Sequence, residues 1–520
     1  MAERRASPRL QEAGCRALAN LASERALVAP LAHAGAIERV CAAAKAHAGD
    51  ARVAEEACAA LANFAVGGPV PCQRIYEAGG GLAALAAMGS HGKRGVVLQE
   101  GWAALANLTQ HAAAAEQLAA AGAGRVIAGA MSEHLGNERL QIFGVLALDN
   151  LGYSGLDLDE QSEASGGGGG GGALSSVAAA RKAERLKRTQ LDVAAAEPLA
   201  APLRVCAAMN AHPSSAKLQE LCCRALANMA ADGEGGRRAI AQSGGLALVC
   251  AAIGLHSEHP GVARRGCSAL GNMAAGESIA LVERAGGIHR VCEALEAHEP
   301  HAGVAEDGCS ALANLACADR PTRLALVDAG GVTRVCRAMA AHPEVVGVQQ
   351  EGCAAIANLS WGEMQKRDVI AAGGAERIFA AMKGHEGCAA LQEWGCKALH
   401  NLGCNNEGVR AQLLADGAVA VLCAGMGAHA ASPAVLLEGC VALASLARDD
   451  EAVKKEVNDA GGLQLVIGAL RAHKDNSELQ RWGYKALRSL ATEDALGTAT
   501  RRGGKGKLYS QASKPANGAG

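Results

Sequence analysis

The nine residues DGCSALANL, 307–315, come back along this chain at an almost fixed interval. Residues 351–359 read EGCAAIANL, 100–108 read EGWAALANL and 395–402 read GCKALHNL. With the asparagine as slot 0, the copies fall at Asn20, Asn63, Asn107, Asn150, Asn228, Asn272, Asn314, Asn358 and Asn401. Ser445 and Ser489 hold the slot in the last two copies. Successive copies stand 42–44 residues apart, except for one step of 78, which is a 44-residue unit plus 34 further residues. A period in the forties marks a helical solenoid, whose units bury their apolar faces only against one another. A chain of 520 residues is too long for one compact core but suits such stacking.

The unit covering 315–359 shows how one period folds. RLALVDA is a short apolar run that stops at Gly330, where the left-handed conformation ends a helix at no steric cost. VTRVCRAMA is a second helix, broken at AHPE because Pro343 cannot continue it. The third starts near Val346 and carries the repeated wording, with slots −10, −5, −3, −2 and +1 apolar on one helical face. Slot −10 is Leu or Val in all eleven copies, from Leu10 to Leu479. Three helices per unit are expected, and no strand alternation is present.

Glycine and cysteine obey the same ruler. Slot −28 is Gly in nine of ten units, with Ala200 as the exception after the long step. Slot −6, inside the third helix, is Gly in nine copies, where it costs about 1 kcal/mol relative to Ala; close approach of a neighbouring helix is the expected compensation. Of 19 cysteines, eight sit at slot −5 and six at slot −22, both core slots. An odd total at such spacing is no disulfide framework and points to a reducing compartment.

The chain resembles the armadillo-repeat family over about residues 7–491, with AGG between first and second helices and ALxNL on the third. The wording of QEAGCRALANL, 11–21, is similar to the armadillo region of leucine-rich-repeat kinases, but no kinase or GTPase segment is read here. The resemblance implies an all-α, right-handed armadillo-type α-solenoid of about 11 three-helix repeats, the first incomplete. Four segments are expected: repeats over 1–151 beginning with a lone third helix, a glycine-rich flexible insertion at 152–190, repeats over 191–491, and a disordered tail at 492–520. Ser7-Pro8 is a good helix start, so the chain opens in mid-repeat, either as a cap or as part of a longer product.

In this family the third helices line a concave groove, and the slot-0 asparagine can hydrogen-bond the backbone of an extended peptide. The resemblance therefore nominates Asn20, Asn63, Asn107, Asn150, Asn228, Asn272, Asn314, Asn358 and Asn401 as partner-binding residues. The alternative is an amide that bonds its own turns or the adjacent repeat. If the amides face solvent, replacing Asn272, Asn314 and Asn358 by Ala should cost little stability. Import adaptors of the family stack basic peptides on a Trp at slot −4. Here slot −4 holds no Trp and is cationic at Arg16, Arg224, Lys397 and Lys485.

A metal reading attaches to His385, Cys388, Cys396, His400 and Cys404, since Cys396 and His400 are four apart on one helix. Against it, Cys396 is an ordinary core slot and His385 fills a loop slot where His212, His298, His342, His429 and His473 recur. The expectation is no metal, no cofactor and no catalytic residue. A net charge of −2 gives no field for nucleic acid, and no run of 18 apolar residues suggests a membrane span. The chain reads as a non-enzymatic scaffold for other proteins, engaging extended peptide segments, in the cytoplasm with access to the nucleus. The alternatives are a nuclear-import-type cargo adaptor, or a regulatory fragment of a larger enzyme such as a leucine-rich-repeat kinase.

Overall fold

A computed structural model describes residues 7–92, 94–153, 200–448 and 450–490. These form two compact units, one up to Met273 and one from Ala274 onward. The first holds repeats 1–6 and the second repeats 7–11. Of the insertion expected at 152–190, residues 152 and 153 end the helix Glu138–Tyr153, and the rest, with the expected tail, lies outside the described residues.

Every described element is helical, and the repeat anatomy is the expected one. Repeat 8 runs Arg320–Asp328, Gly331–Ala341, Val346–Leu359. Repeats 9 and 10 follow as Glu363–Ala371, Gly374–Gly384, Ala389–Gly403 and Glu407–Ala415, Ala418–Ala428, Pro433–Ala447. Repeat 11 closes with Glu451–Asp459, Gly462–Ala472 and Ser477–Leu490. The fold is an α-solenoid of three-helix repeats. Among the described residues repeat 1 is a third helix alone, Pro8–Ala22, and the stretch expected to hold the first helix of repeat 5 lies outside them.

The turn between first and second helices is set by slot −28. Gly330 has φ +74, and the other eight glycines of this slot lie between +65 and +89, a region open to Gly and strained for other residues. Third helices are capped locally: Asp50 accepts from the backbone N–H of Arg52 and Val53, and Ser215 and Ser432 do the same for Leu218 and Val435.

Slot −6 is where third helix meets second. A Cβ on Gly352 would stand 2.5 Å from Met339 Cγ, on Gly395 2.6 Å from Met382 Cγ, and on Gly308 2.6 Å from a Leu295 methyl. In these repeats the large residue comes from slot −19, on the second helix of the same repeat; at Gly144 Trp102 of the preceding repeat stands as close as the slot −19 Met131. In repeat 2 that slot is Ala44, and slot −6 is then Ala57. In the repeats with Gly at slot −6 the two slots thus share one volume, whereas repeat 5 keeps both Cys222 and Met209.

Slot −10 is fully buried in repeats 2–11, as in Val348 and Leu391 at 0%. Leu10 departs from the expected core face: it is 39% exposed, because no second helix precedes it among the described residues. Among them, too, no single helix is long and apolar enough to cross a membrane.

Candidate partner-binding face of the third helices

Within each unit the third helices pack side by side. In repeat 8, slots −10, −9, −6, −5, −3, −2 and +1 are buried, whereas Gln350, Glu351 and Asn358 at slots −8, −7 and 0 remain half-open. Each such slot contributes one side chain per repeat, so the row of helices presents parallel lanes of side chains.

Lane 0 holds the asparagines, and it ties the repeats together. Asn401 Nδ2 donates to the Ala357 carbonyl at 2.8 Å, and Asn358, Asn272, Asn107 and Asn63 donate in the same way to Ala313, Ala227, Ala62 and Ala19 at 2.9–3.2 Å. Each acceptor is slot −1 of the preceding repeat, a carbonyl in the last turn of its third helix. Asn150 reaches both Ala106 and the Thr109 hydroxyl. Asn228 meets a side chain instead: Asp149 fills slot −1 and accepts from it at 2.9 Å while also pairing with Arg224 Nε. Asn314 is half-buried in the same lane, and Asn20, in repeat 1, is exposed. The alternative of an amide bonded to the adjacent repeat therefore holds for seven of them, each using one N–H between repeats. Among the described residues, no protein atom bonds Oδ1 of Asn63, Asn107, Asn272, Asn358 or Asn401.

The serine copies adapt. Ser489 Oγ still reaches the Ala444 carbonyl at 3.3 Å. Ser445 turns to its own helix, donating to Ala442 at 2.9 Å, and its oxygen lies 2.9 Å from His400 Nδ1.

Two more ladders emerge only partly from the sequence. The recurrent loop histidines stand at slot −16, the C-cap of the second helix. The Nε2 of His342, His385 and His429 each lies 2.7 Å from the carbonyl of Glu299, Pro343 and Glu386, one repeat earlier. A carbonyl only accepts, which fixes the proton on Nε2. His91, His134 and His256 make the same bond. At slot −9, Gln349 is buried and donates at 2.8 Å to both the Met339 and His342 carbonyls, closing the end of its own second helix.

Lanes −7 and −8 carry the charge. In the second unit they hold Asp307, Glu351, Trp394, Glu438 and Trp482 at −7, and Glu306, Gln350, Glu393, Leu437 and Arg481 at −8. Among the described residues, Glu351, Glu393, Glu438 and Glu478 form no ion pair. Burial, and then the nearby charges of Glu393 and Glu478, raise the Glu438 pKa above the ordinary carboxylate value, with Lys397 opposing. Lys397 Nζ lies 4.8 Å from the Trp394 ring centre and Lys485 Nζ 4.2 Å from that of Trp482. The first unit has no such continuity, because its lane −7 changes to Phe143, Leu221 and Arg265 in repeats 4–6.

The residues weighed as metal ligands are not brought together. Cys396 is fully buried, His385 bonds Pro343, and His400 faces Ser445. Among the described residues no group of three His, Cys, Asp or Glu side chains is placed to hold a metal. Sixteen of the nineteen cysteines are buried, leaving Cys317 exposed and Cys388 and Cys404 half-exposed. Burial pushes the Cys353 and Cys440 thiols up to about 12.

Residues 283–462 match the family described as LRRK2 ARM repeat. Among solved structures, one engineered protein is similar over 94% of this chain and 96% of its own, at 22% identity and a TM-score of 0.57. A designed armadillo repeat protein in complex with the peptide (KR)4 is similar over 48% of this chain and 98% of its own, at 21% identity and a TM-score of 0.40. No curated protein matches the chain.

Proposed function

We propose that the chain, an α-solenoid whose residues 283–462 match the LRRK2 ARM repeat family, is a non-enzymatic scaffold holding extended segments of partner proteins along its third-helix face. One observation carries the reading. The amides of Asn63, Asn107, Asn272, Asn358 and Asn401 are each clamped by an inter-repeat bond through Nδ2, which leaves Oδ1 directed to the third-helix face. Rigidly held, evenly spaced hydrogen-bonding groups suit an extended backbone, which offers donors and acceptors at regular spacing and needs little further ordering of the receptor.

The same reading keeps Asn20, Asn63, Asn107, Asn150, Asn228, Asn272, Asn314, Asn358 and Asn401 as the partner-binding lane. Asn228 is the weakest member, because its donor is committed to a carboxylate. A reducing, cytoplasmic setting belongs to the proposal as well, supported by sixteen buried thiols in a chain with an odd cysteine count. The test is a selection of random extended peptides on the immobilised full chain, followed by hydrogen exchange of the best complexes. Protection along third helices is expected. Protection confined to first and second helices would overturn the reading.

A further inference from the structure

Slot −20, inside the second helix, is Ala in nine repeats, from Ala43 to Ala469, and Gly only at Gly425 of repeat 10. Glycine inside a helix is less stable than alanine, so the exception calls for a reason. Backbone packing does not supply one. The nearest atom to a Cβ on Gly425 would be Gln392 Oε1, at 2.6 Å, the far end of a side chain. Gln11, Gln141, Gln219 and Gln349 hold the same slot −9 as Gln392, and each precedes a repeat with Ala in slot −20. The pair of slots therefore tolerates a methyl group. What the glycine leaves instead is space: it lines a cleft of about 400 Å³ between the second helices Gly374–Gly384 and Ala418–Ala428, a size that suits a small ligand.

The inside of the cleft is built around one polar atom. Gln392 is 1% exposed, and its Nε2 donates to the Met382 carbonyl at 2.7 Å and the His385 carbonyl at 3.3 Å. Those two bonds fix the amide. Its Oε1 faces the cleft beside Gly425, with no protein donor among the described residues. A buried carbonyl oxygen without a donor is costly, so an occupant of the cleft is held best if it brings one. The walls are apolar, with Met382 and Val421 buried on facing helices. Glu386, Asp416 and Lys383 stand exposed at the mouth. Two carboxylates against one ammonium leave the mouth with a net negative charge.

We infer that this cleft binds a small primary amine on a compact apolar body, with the ammonium donating to Gln392 Oε1 and the body lying against Met382 and Val421. A carboxylate has no proton for Oε1 and meets like charge at the mouth. An alcohol can donate to Oε1 but gains nothing from Glu386 and Asp416. The cleft lies between second helices, so it stands or falls apart from the scaffold reading of the third-helix face.

The experiment is a ligand-observed NMR titration of the full chain at pH 7 with 2-phenylethylamine, 2-phenylethanol and 3-phenylpropanoate, which share a phenylethyl body. The amine should saturate with a Kd of about 1 mM or tighter and bind about threefold or more tighter than the alcohol. The carboxylate should not bind. Gly425→Ala should weaken the amine by about tenfold or more, yet melt no lower than its parent, because alanine is the better helix former. Glu386→Gln combined with Asp416→Asn should bring the amine and the alcohol to equal affinity. A weaker Kd for the amine, or binding unchanged by Gly425→Ala, overturns the inference. So does a Gly425→Ala chain that melts below its parent, since position 425 would then need glycine for packing. An alcohol or carboxylate that binds as tightly as the amine overturns the amine class.

Discussion

Met339 occupies the place where a side chain at position 352 would begin: a Cβ on Gly352 would stand 2.5 Å from its Cγ and 2.6 Å from its Sδ. The glycine inside the third helix is therefore the complement of a large side chain on the second, and the same exchange is written at Gly395 with Met382 and Gly439 with Met426. Close packing of this kind leaves no room for one more carbon without displacing a side chain.

Opposite signs are expected for two Gly→Ala substitutions. Gly352→Ala should lower stability by about 1–2 kcal/mol, as overpacking outweighs the gain in helix propensity. Gly468, in the helix Gly462–Ala472, has nothing within 4 Å of its Cβ position, so Gly468→Ala should raise stability by about 0.5–1 kcal/mol. Adding Met339→Ala to Gly352→Ala should remove the clash, so the double variant should lose less than the two single costs added together. Urea unfolding reads all three. A Gly352→Ala protein as stable as its parent would refute the shared volume.

The lane-0 amides should show a cost on removal even without a partner. Asn358→Ala and Asn401→Ala each delete an inter-repeat hydrogen bond, to Ala313 and to Ala357. Each bond is worth about 0.5–1.5 kcal/mol, and the few tenths recovered in helix propensity offset only part of it. The double variant should thus unfold about 1–2 kcal/mol more easily. A protein that melts with its parent would show that these inter-repeat bonds add nothing to stability.

Thiol labelling should divide the cysteines sharply. Cys317, Cys388 and Cys404 are open to reagent, and the other sixteen are buried. For Cys353, raising the thiol from 9.0 to about 12 lowers the reactive thiolate by roughly a thousandfold, before exclusion of the reagent is counted. Native protein at neutral pH should label at three sites within minutes, and mass spectrometry locates them. Fast modification of Cys353 or Cys396 would mean that the repeats open readily.

The repeats were legible because their signals are local. The left-handed turn at Gly330, the break at Pro343 and the apolar stripe of Val348 to Leu359 each lie within one unit. The glycine of slot −6 was legible as a close approach, but its partner was not, since Met339 lies thirteen residues earlier on another helix. The site was harder to read for the same reason. Asn401 bonds Ala357, 44 residues away, and a polar residue in a helix says nothing of which carbonyl it will meet. The histidines of slot −16 repeat as plainly as the asparagines, yet their acceptors are backbone atoms, which a sequence does not display. The charged lane was missed because its slot alternates between Glu and Trp, and only stacking the repeats shows these as one row.

Glu438 should be a carboxylate whose removal stabilises the protein. It is half-buried with Glu393 and Glu478 as charged neighbours, and Lys397 compensates only in part, so its pKa is raised in the folded chain. A raised carboxylate pKa means the folded state holds this proton more tightly than the unfolded one. Below the ordinary carboxylate range both states are protonated and the site costs nothing. As pH rises through that range the unfolded chain ionises first, and stability falls until the folded pKa is passed, after which the penalty is constant. Glu438→Gln keeps the shape and removes the charge. Its melting temperature should exceed that of the parent at pH 7, and the difference should shrink toward zero as the pH is lowered through the carboxylate range. Melting curves across that range decide it. A variant less stable than its parent at pH 7 would show that the Glu438 charge is favourably compensated.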